Sequence, residues 1–79
     1  MKRYANVSGN SGVIAYELHP DSIIVQFQDG TTYEYTSQSA GAAGLTSMKR
    51  LAIAGRGLST FISQHVRTGY ARKFPDPPR

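Results

Sequence analysis

The stretch from Val25 to Tyr35, VQFQDGTTYEY, decides the fold, because the number of residues in its turn sets which side chains share a face. If Asp29-Gly30 alone closed a two-residue hairpin, Tyr33 would lie across from Gln26 and Tyr35 from Ile24. Both tyrosines would then stand on the face opposite Ile23, Val25 and Phe27. A three-residue loop of Gln28-Asp29-Gly30, with Gly30 left-handed as a bulge, shifts the register by one and sets Val25 against Tyr33 and Ile23 against Tyr35. Upstream, a four-residue loop of His19-Pro20-Asp21-Ser22 pairs Leu18 with Ile23, Tyr16 with Val25 and Ile14 with Phe27. With the bulge, one face carries Ile14, Tyr16, Leu18, Ile23, Val25, Phe27, Tyr33 and Tyr35. The other is mainly Glu17, Gln26, Thr32, Glu34 and Thr36, with Ala15 and Ile24 as exceptions. This segregation is the pattern of a half-buried sheet and selects the bulged turn.

Three strands follow, Val13 to Leu18, Ile23 to Phe27 and Thr31 to Thr36, all rich in β-branched and aromatic residues. After residue 37 the period changes from two to that of a helix. Leu45, Met48, Leu51 and Ala52 form one apolar stripe, and Leu58, Phe61, Ile62, His65 and Val66 another, separated by Gly55-Arg56-Gly57. Ser37 or Ser39 is a candidate N-cap for the first helix, and Gly69 a candidate end for the second. The expected fold is α+β: a three-stranded antiparallel meander followed by two short α-helices packed on one face. Residues 1–11 read as a flexible N-terminus, 12–70 as one domain, and 71–79 as a basic, proline-containing tail.

Seventy-nine residues make one domain with a small core, since a chain this short buries only about 60% of its unfolded surface. It has no cysteine, so neither disulfides nor thiolate zinc supplement that core. No apolar segment follows Lys2 and Arg3 as a secretory signal requires, and the longest apolar run, Val13 to Tyr16, is far short of a membrane span. A soluble cytoplasmic protein without a membrane partner is the expectation.

At the strand residues a resemblance emerges. Ile14-Ala15-Tyr16, Ile23-x-Val25-x-Phe27 and Gly30-x-x-Tyr33-x-Tyr35 resemble the KTSC domain, a family named for the C-terminal region of some lysyl-tRNA synthetases and found also as a stand-alone small protein. The likeness runs without a gap from Ile14 to Tyr35. It continues more loosely to Tyr70, where Phe61, Val66 and Arg67 sit at roughly matching places. The family's Val-Pro step after the third strand is replaced here by Ser37-Gln38-Ser39-Ala40-Gly41-Ala42-Ala43-Gly44, which leaves the start of the first helix open. What the resemblance implies about function is limited to an association with RNA through the synthetase. The family motif residues Gly30, Tyr33 and Tyr35 read as structural, since tyrosines packed beneath helices cannot serve as the stacking pair of an RRM-type sheet.

The formal charge of +4 is unevenly placed. Residues 1–36 hold Lys2 and Arg3 against Glu17, Asp21, Asp29 and Glu34, while residues 37–79 hold seven Lys or Arg against Asp76 alone. A basic half of this kind is ordinarily a solvated face. Its functional reading is an RNA-binding surface using Lys49, Arg50, Arg56, Arg67, Arg72 and Lys73, whose phosphate contacts give affinity and salt dependence rather than sequence specificity. The runner-up is a protein-interaction module using an exposed edge strand or a helix.

Other motifs are weaker. Gly41-Ala42-Ala43-Gly44 has the spacing of a KH-type loop, but it is expected to leave a strand rather than join two helices; a close helix contact is the simpler account. Pro75-x-x-Pro78 has SH3-ligand spacing in what reads as a frayed terminus. His19 falls in a turn and His65 on an apolar stripe, where packing explains a histidine better than catalysis does. Glu17 and Glu34 share the exposed sheet face without a pocket, so no acid–base pair is expected. Neither an enzyme, a metal nor a cofactor is expected.

Overall fold

The computed structural model describes residues 1–7, 9, 11–66 and 69–74. Its elements are β1 (Lys2–Arg3), β2 (Val13–His19), β3 (Ser22–Phe27), β4 (Thr32–Thr36), α1 (Ser37–Ala40), α2 (Ala42–Ala54), α3 (Leu58–Phe61), which runs on into a π-helical turn (Ile62–Val66), and β5 (Arg72–Phe74). All strands pair antiparallel in the order β1-β2-β3-β4-β5. The fold is α+β with helices over an antiparallel sheet, but the expected three strands and two helices are corrected to five strands and three helices.

The deciding turn is the bulged one. Val25 pairs with Tyr33 and Ile23 with Tyr35. The Phe27 amide donates to the Thr31 carbonyl at 2.8 Å, the Gly30 amide donates to the Phe27 carbonyl at 2.9 Å, and Gly30 has φ +90°. Asp29 closes the loop by accepting the Thr31 amide at 2.9 Å, a bond that holds its carboxyl below the usual carboxylate range. Gly30→Val is expected to destabilise the domain by more than about 1 kcal/mol, because a β-branched residue is strained at positive φ. Chemical denaturation measures it, and an unchanged midpoint would count against this turn.

The upstream hairpin keeps its expected register, Leu18 with Ile23 and Tyr16 with Val25, but His19 also pairs with Ser22 and leaves only Pro20-Asp21 in the loop. Farther along, a register shift between Val13 and Ala15 sets Val13, not Ile14, opposite Phe27. Val13 is wholly buried and Ile14 is 43% exposed, reversing the expected placement. Leu18, also assigned to the core, is exposed, whereas Ile24 on the helix-free face is buried.

The core lies between the sheet's other face and the helices. Leu45, Met48 and Ala52 of α2, with Leu58, Ile62 and Val66 after it, close over Tyr16, Ile23, Val25 and Tyr35. Helix α1 is capped by Thr36 rather than by a serine: its hydroxyl accepts the Ser39 amide at 3.1 Å while the Ser39 hydroxyl accepts the Thr36 amide at 2.9 Å. Gly55 ends α2 in the left-handed conformation, donating to the Leu51 and Ala52 carbonyls. The π-helical turn is described to Val66, whose carbonyl accepts the Gly69 amide; residues 67 and 68, between them, lie outside the described residues.

The two ends of the described chain supply the strands that the sequence pattern did not reveal. Lys2 pairs with Tyr16 and Arg3 with Ala15, and Tyr4 behind them is 3% exposed, its hydroxyl accepting the Leu58 amide at 3.3 Å. At the other edge Arg72, Lys73 and Phe74 pair with Glu34, Tyr33 and Thr32. The sheet's edges are therefore β1 and β5, not the first and third strands of a meander.

Candidate nucleic-acid interface

The six basic residues singled out from sequence do not form one patch. Because alternate strand residues face opposite sides, β5 separates its two cations. Arg72 falls on the helix-free face, its Nε 3.2 Å from Glu34 Oε1, in the cross-strand row Glu17, Ile24, Glu34, Arg72. Lys73 points to the helical side, with Nζ 5.7 Å from the centroid of the Tyr33 ring. Lys49 is committed to a structural task, donating to the His19 carbonyl at 2.5 Å and the Pro20 carbonyl at 3.1 Å, which ties α2 to the β2–β3 turn. Arg50 on the outer side of α2 and Arg56 between two glycines are exposed, and neither has an ion-pair partner among the described residues. Arg67 and the Pro75-x-x-Pro78 spacing lie outside the described residues. What remains on the helical side is Arg50, Arg56 and, at its rim, Lys73.

Tyr33 and Tyr35 pack rather than stack. Tyr35 is 1% exposed, and its burial, with the phenols of Tyr33 and Tyr70 beside it, pushes its hydroxyl pKa up. Tyr33 is half-buried within a ring cluster, with centroids 5.6 Å from Phe27, 4.8 Å from Tyr70 and 6.3 Å from Tyr35. Its ring is already occupied by protein neighbours, which leaves no open platform there.

On the helix-free face, Glu17, His19, Ser22, Ile24, Glu34 and Arg72 line a shallow, open depression. Each glutamate is taken: Glu17 Oε2 lies 2.6 Å from His19 Nε2, and Glu34 is held by Arg72. Among the described residues no group of three His, Asp or Glu side chains is placed to hold a metal ion. No helix among them is long and apolar enough to cross a membrane.

Two placements differ from the sequence reading on the helical side. His65 is exposed instead of packed in the core, and its ring stacks on Phe61 at 4.7 Å with 30° between planes. Their i, i+4 spacing was a visible signal, but the π-helical turn that carries His65 was not. Gly41-Ala42-Ala43-Gly44 does stand between two helices, because Thr36 starts α1 immediately after β4; three of its four residues are nevertheless the first turn of α2. A Cβ at Gly44 would sit 3.6 Å from Val66 Cγ1, an ordinary van der Waals contact, so helix packing there is close but does not require glycine. Comparison with protein-family models, with curated proteins and with solved structures finds no match to this chain.

Proposed function

We propose that this chain is a small non-catalytic binding module that holds RNA by its phosphates on the outer side of the helical layer. The observation that carries this reading is a separation of charge. Residues 37–66, which build the helices, include Lys49, Arg50 and Arg56 and not one Asp or Glu. Glu17 and Glu34 stand on the opposite face of the sheet and Asp29 in the distant β3–β4 turn, while Asp21, in the β2–β3 turn to which Lys49 is tied, accepts the Ser37 hydroxyl at 2.7 Å at the start of α1. In a body of 30 × 25 × 21 Å, charges on opposite faces are separated by more than the screening length of about 8 Å at physiological salt. The helical cations are therefore not cancelled by the acids behind the sheet. Resemblance of the strand motif to the KTSC domain adds the association with a tRNA-charging enzyme.

The test is fluorescence anisotropy with a labelled RNA hairpin at about 50 and 200 mM salt. With three available cations, Arg50, Arg56 and Lys73, affinity is expected to fall roughly twentyfold to fortyfold across that range. Arg50→Glu with Arg56→Glu is expected to remove most of the binding and flatten the salt dependence, while the melting temperature stays put because both side chains are exposed. Absence of binding at the lower salt would sink the RNA reading.

A specific observation also favours a protein partner at the helices rather than at the sheet edge. Ile53 is 66% exposed, and Val7, 60% exposed, is held beside the end of α2 by its amide's bond to the Gly55 carbonyl at 2.8 Å. The edge strands are poor recruits, since Lys2-Arg3 and Arg72-Lys73 place positive charge along both rims. Salt-resistant binding to a protein, lost on Ile53→Asp and untouched by charge reversal at Arg50, would establish this second reading.

A further inference from the structure

We infer, resting on the RNA reading above, that the exposed Phe61–His65 stack is a platform for one unpaired base, so that the preferred ligand is looped or single-stranded RNA and not duplex. Phe61 is half-buried and packed against the core, which fixes its ring. The imidazole of His65 covers that ring at 4.7 Å while the residue itself is exposed, leaving its outer side open to solvent. A flat ring pinned from behind has already given up its rotamer freedom, so a base that stacks on it meets a pre-ordered surface. The backbone points the same way. His65 stands in the π-helical turn Ile62–Val66, a rare widened turn that is frequent at functional sites, and its neighbours Ser63 and Gln64 are also exposed. Those two side chains offer donors and acceptors beside the ring, as recognition of a base edge needs.

The cations lie along the same run of chain. Gly57, Phe61 and His65 follow one another at i, i+4 steps, the Phe61 amide donating to the Gly57 carbonyl at 3.0 Å, and the exposed Arg56 immediately precedes Gly57 in the chain. From Gly57 to His65 the rise is about 12 Å at α-helical spacing, a span that a short unpaired segment can cover. A short unpaired segment can thus set a phosphate at Arg56 and a base on His65 together. A duplex cannot, since its base faces are stacked internally and its major groove is too deep and narrow for the pair to enter.

The experiment compares a uridine-rich 10-nucleotide RNA containing one 2-aminopurine with the same strand annealed to its complement, read by anisotropy and by 2-aminopurine quenching. The expected result is that the single strand binds tighter than the duplex and that its probe is quenched on binding. His65→Ala should weaken single-strand binding roughly fivefold to a hundredfold, the range of one base–aromatic stack, without affecting the duplex. His65→Tyr, which keeps a flat ring without the imidazole nitrogens, should retain both affinity and quenching. If His65→Ala binds and quenches like the parent while Arg50→Glu with Arg56→Glu still weakens binding, the platform is refuted and the RNA reading survives. If the parent binds neither RNA, both fall.

Discussion

Tyr35→Ala is expected to remove most of the stability of the domain, lowering its melting temperature by about 12 to 40 °C. Tyr35 is 1% exposed and heads the largest fully buried side chains. Truncating a buried aromatic ring costs about 3 to 5 kcal/mol, from the lost transfer energy and the cavity left behind. A domain of this length has roughly 4 to 12 kcal/mol in total, and each kcal/mol lost moves the midpoint by about 4 to 8 °C. Tyr33→Ala is expected to cost less, because Tyr33 is half-buried at the rim of the ring cluster it shares with Phe27 and Tyr70. Thermal melts of the two variants followed by circular dichroism decide the matter. A Tyr33→Ala protein less stable than Tyr35→Ala would contradict the order of burial, and with it the depth at which the Tyr-x-Tyr pair sits beneath the helices.

That pair was legible in the sequence because one residue more or less in the turn exchanges every side chain between faces, and only one choice gathers the apolar ones. The same reasoning fails at Val13-Ile14. Both residues are apolar and β-branched, so the alternation carries no information at that step, and the register shift that buries Val13 is invisible. Lys2-Arg3 and Arg72-Lys73-Phe74 are too short to show a period at all. Their strands come from pairing with β2 and β4, which are near neither of them in the chain. The candidate interface inherits that blindness. Read as a tail, Arg72 and Lys73 belong together; read as a strand, they face opposite sides, and one is paired with Glu34. Lys49 reads in sequence as a free cation because its carbonyl partners, His19 and Pro20, lie about thirty residues away. By contrast, the absence of acid from residues 37–66 is composition, although in space the helical layer meets Asp21, which accepts the Ser37 hydroxyl at the start of α1.

The N-terminal segment, expected from its sequence to be flexible, provides the second large effect. Gly55→Ala is expected to destabilise the domain by about 2 to 4 kcal/mol, against about 1 for Gly30→Ala. Both glycines have positive φ, +76° and +90°, so the conformational penalty is shared. They differ in surroundings. A Cβ at Gly30 meets nothing within 4 Å, whereas one at Gly55 would lie 2.5 Å from Ala5 Cβ. Ala5 cannot drift aside at little cost, since Tyr4 before it is buried with its hydroxyl on the Leu58 amide, and Val7 after it is bonded to the Gly55 carbonyl. Relieving the overlap means lifting Tyr4 partly out of the core. Ala5→Gly removes the atom in collision, and in that background Gly55→Ala should cost no more than Gly30→Ala does, a coupling of about 1 to 3 kcal/mol across the pair. Urea denaturation of the four proteins in this cycle measures it. Equal costs for Gly55→Ala and Gly30→Ala in the parent chain would mean that the segment before β2 does not rest on the end of α2 in solution. Val7 would then no longer be held at the end of α2, and the exposed apolar surface favouring a protein partner would lose one of its two residues.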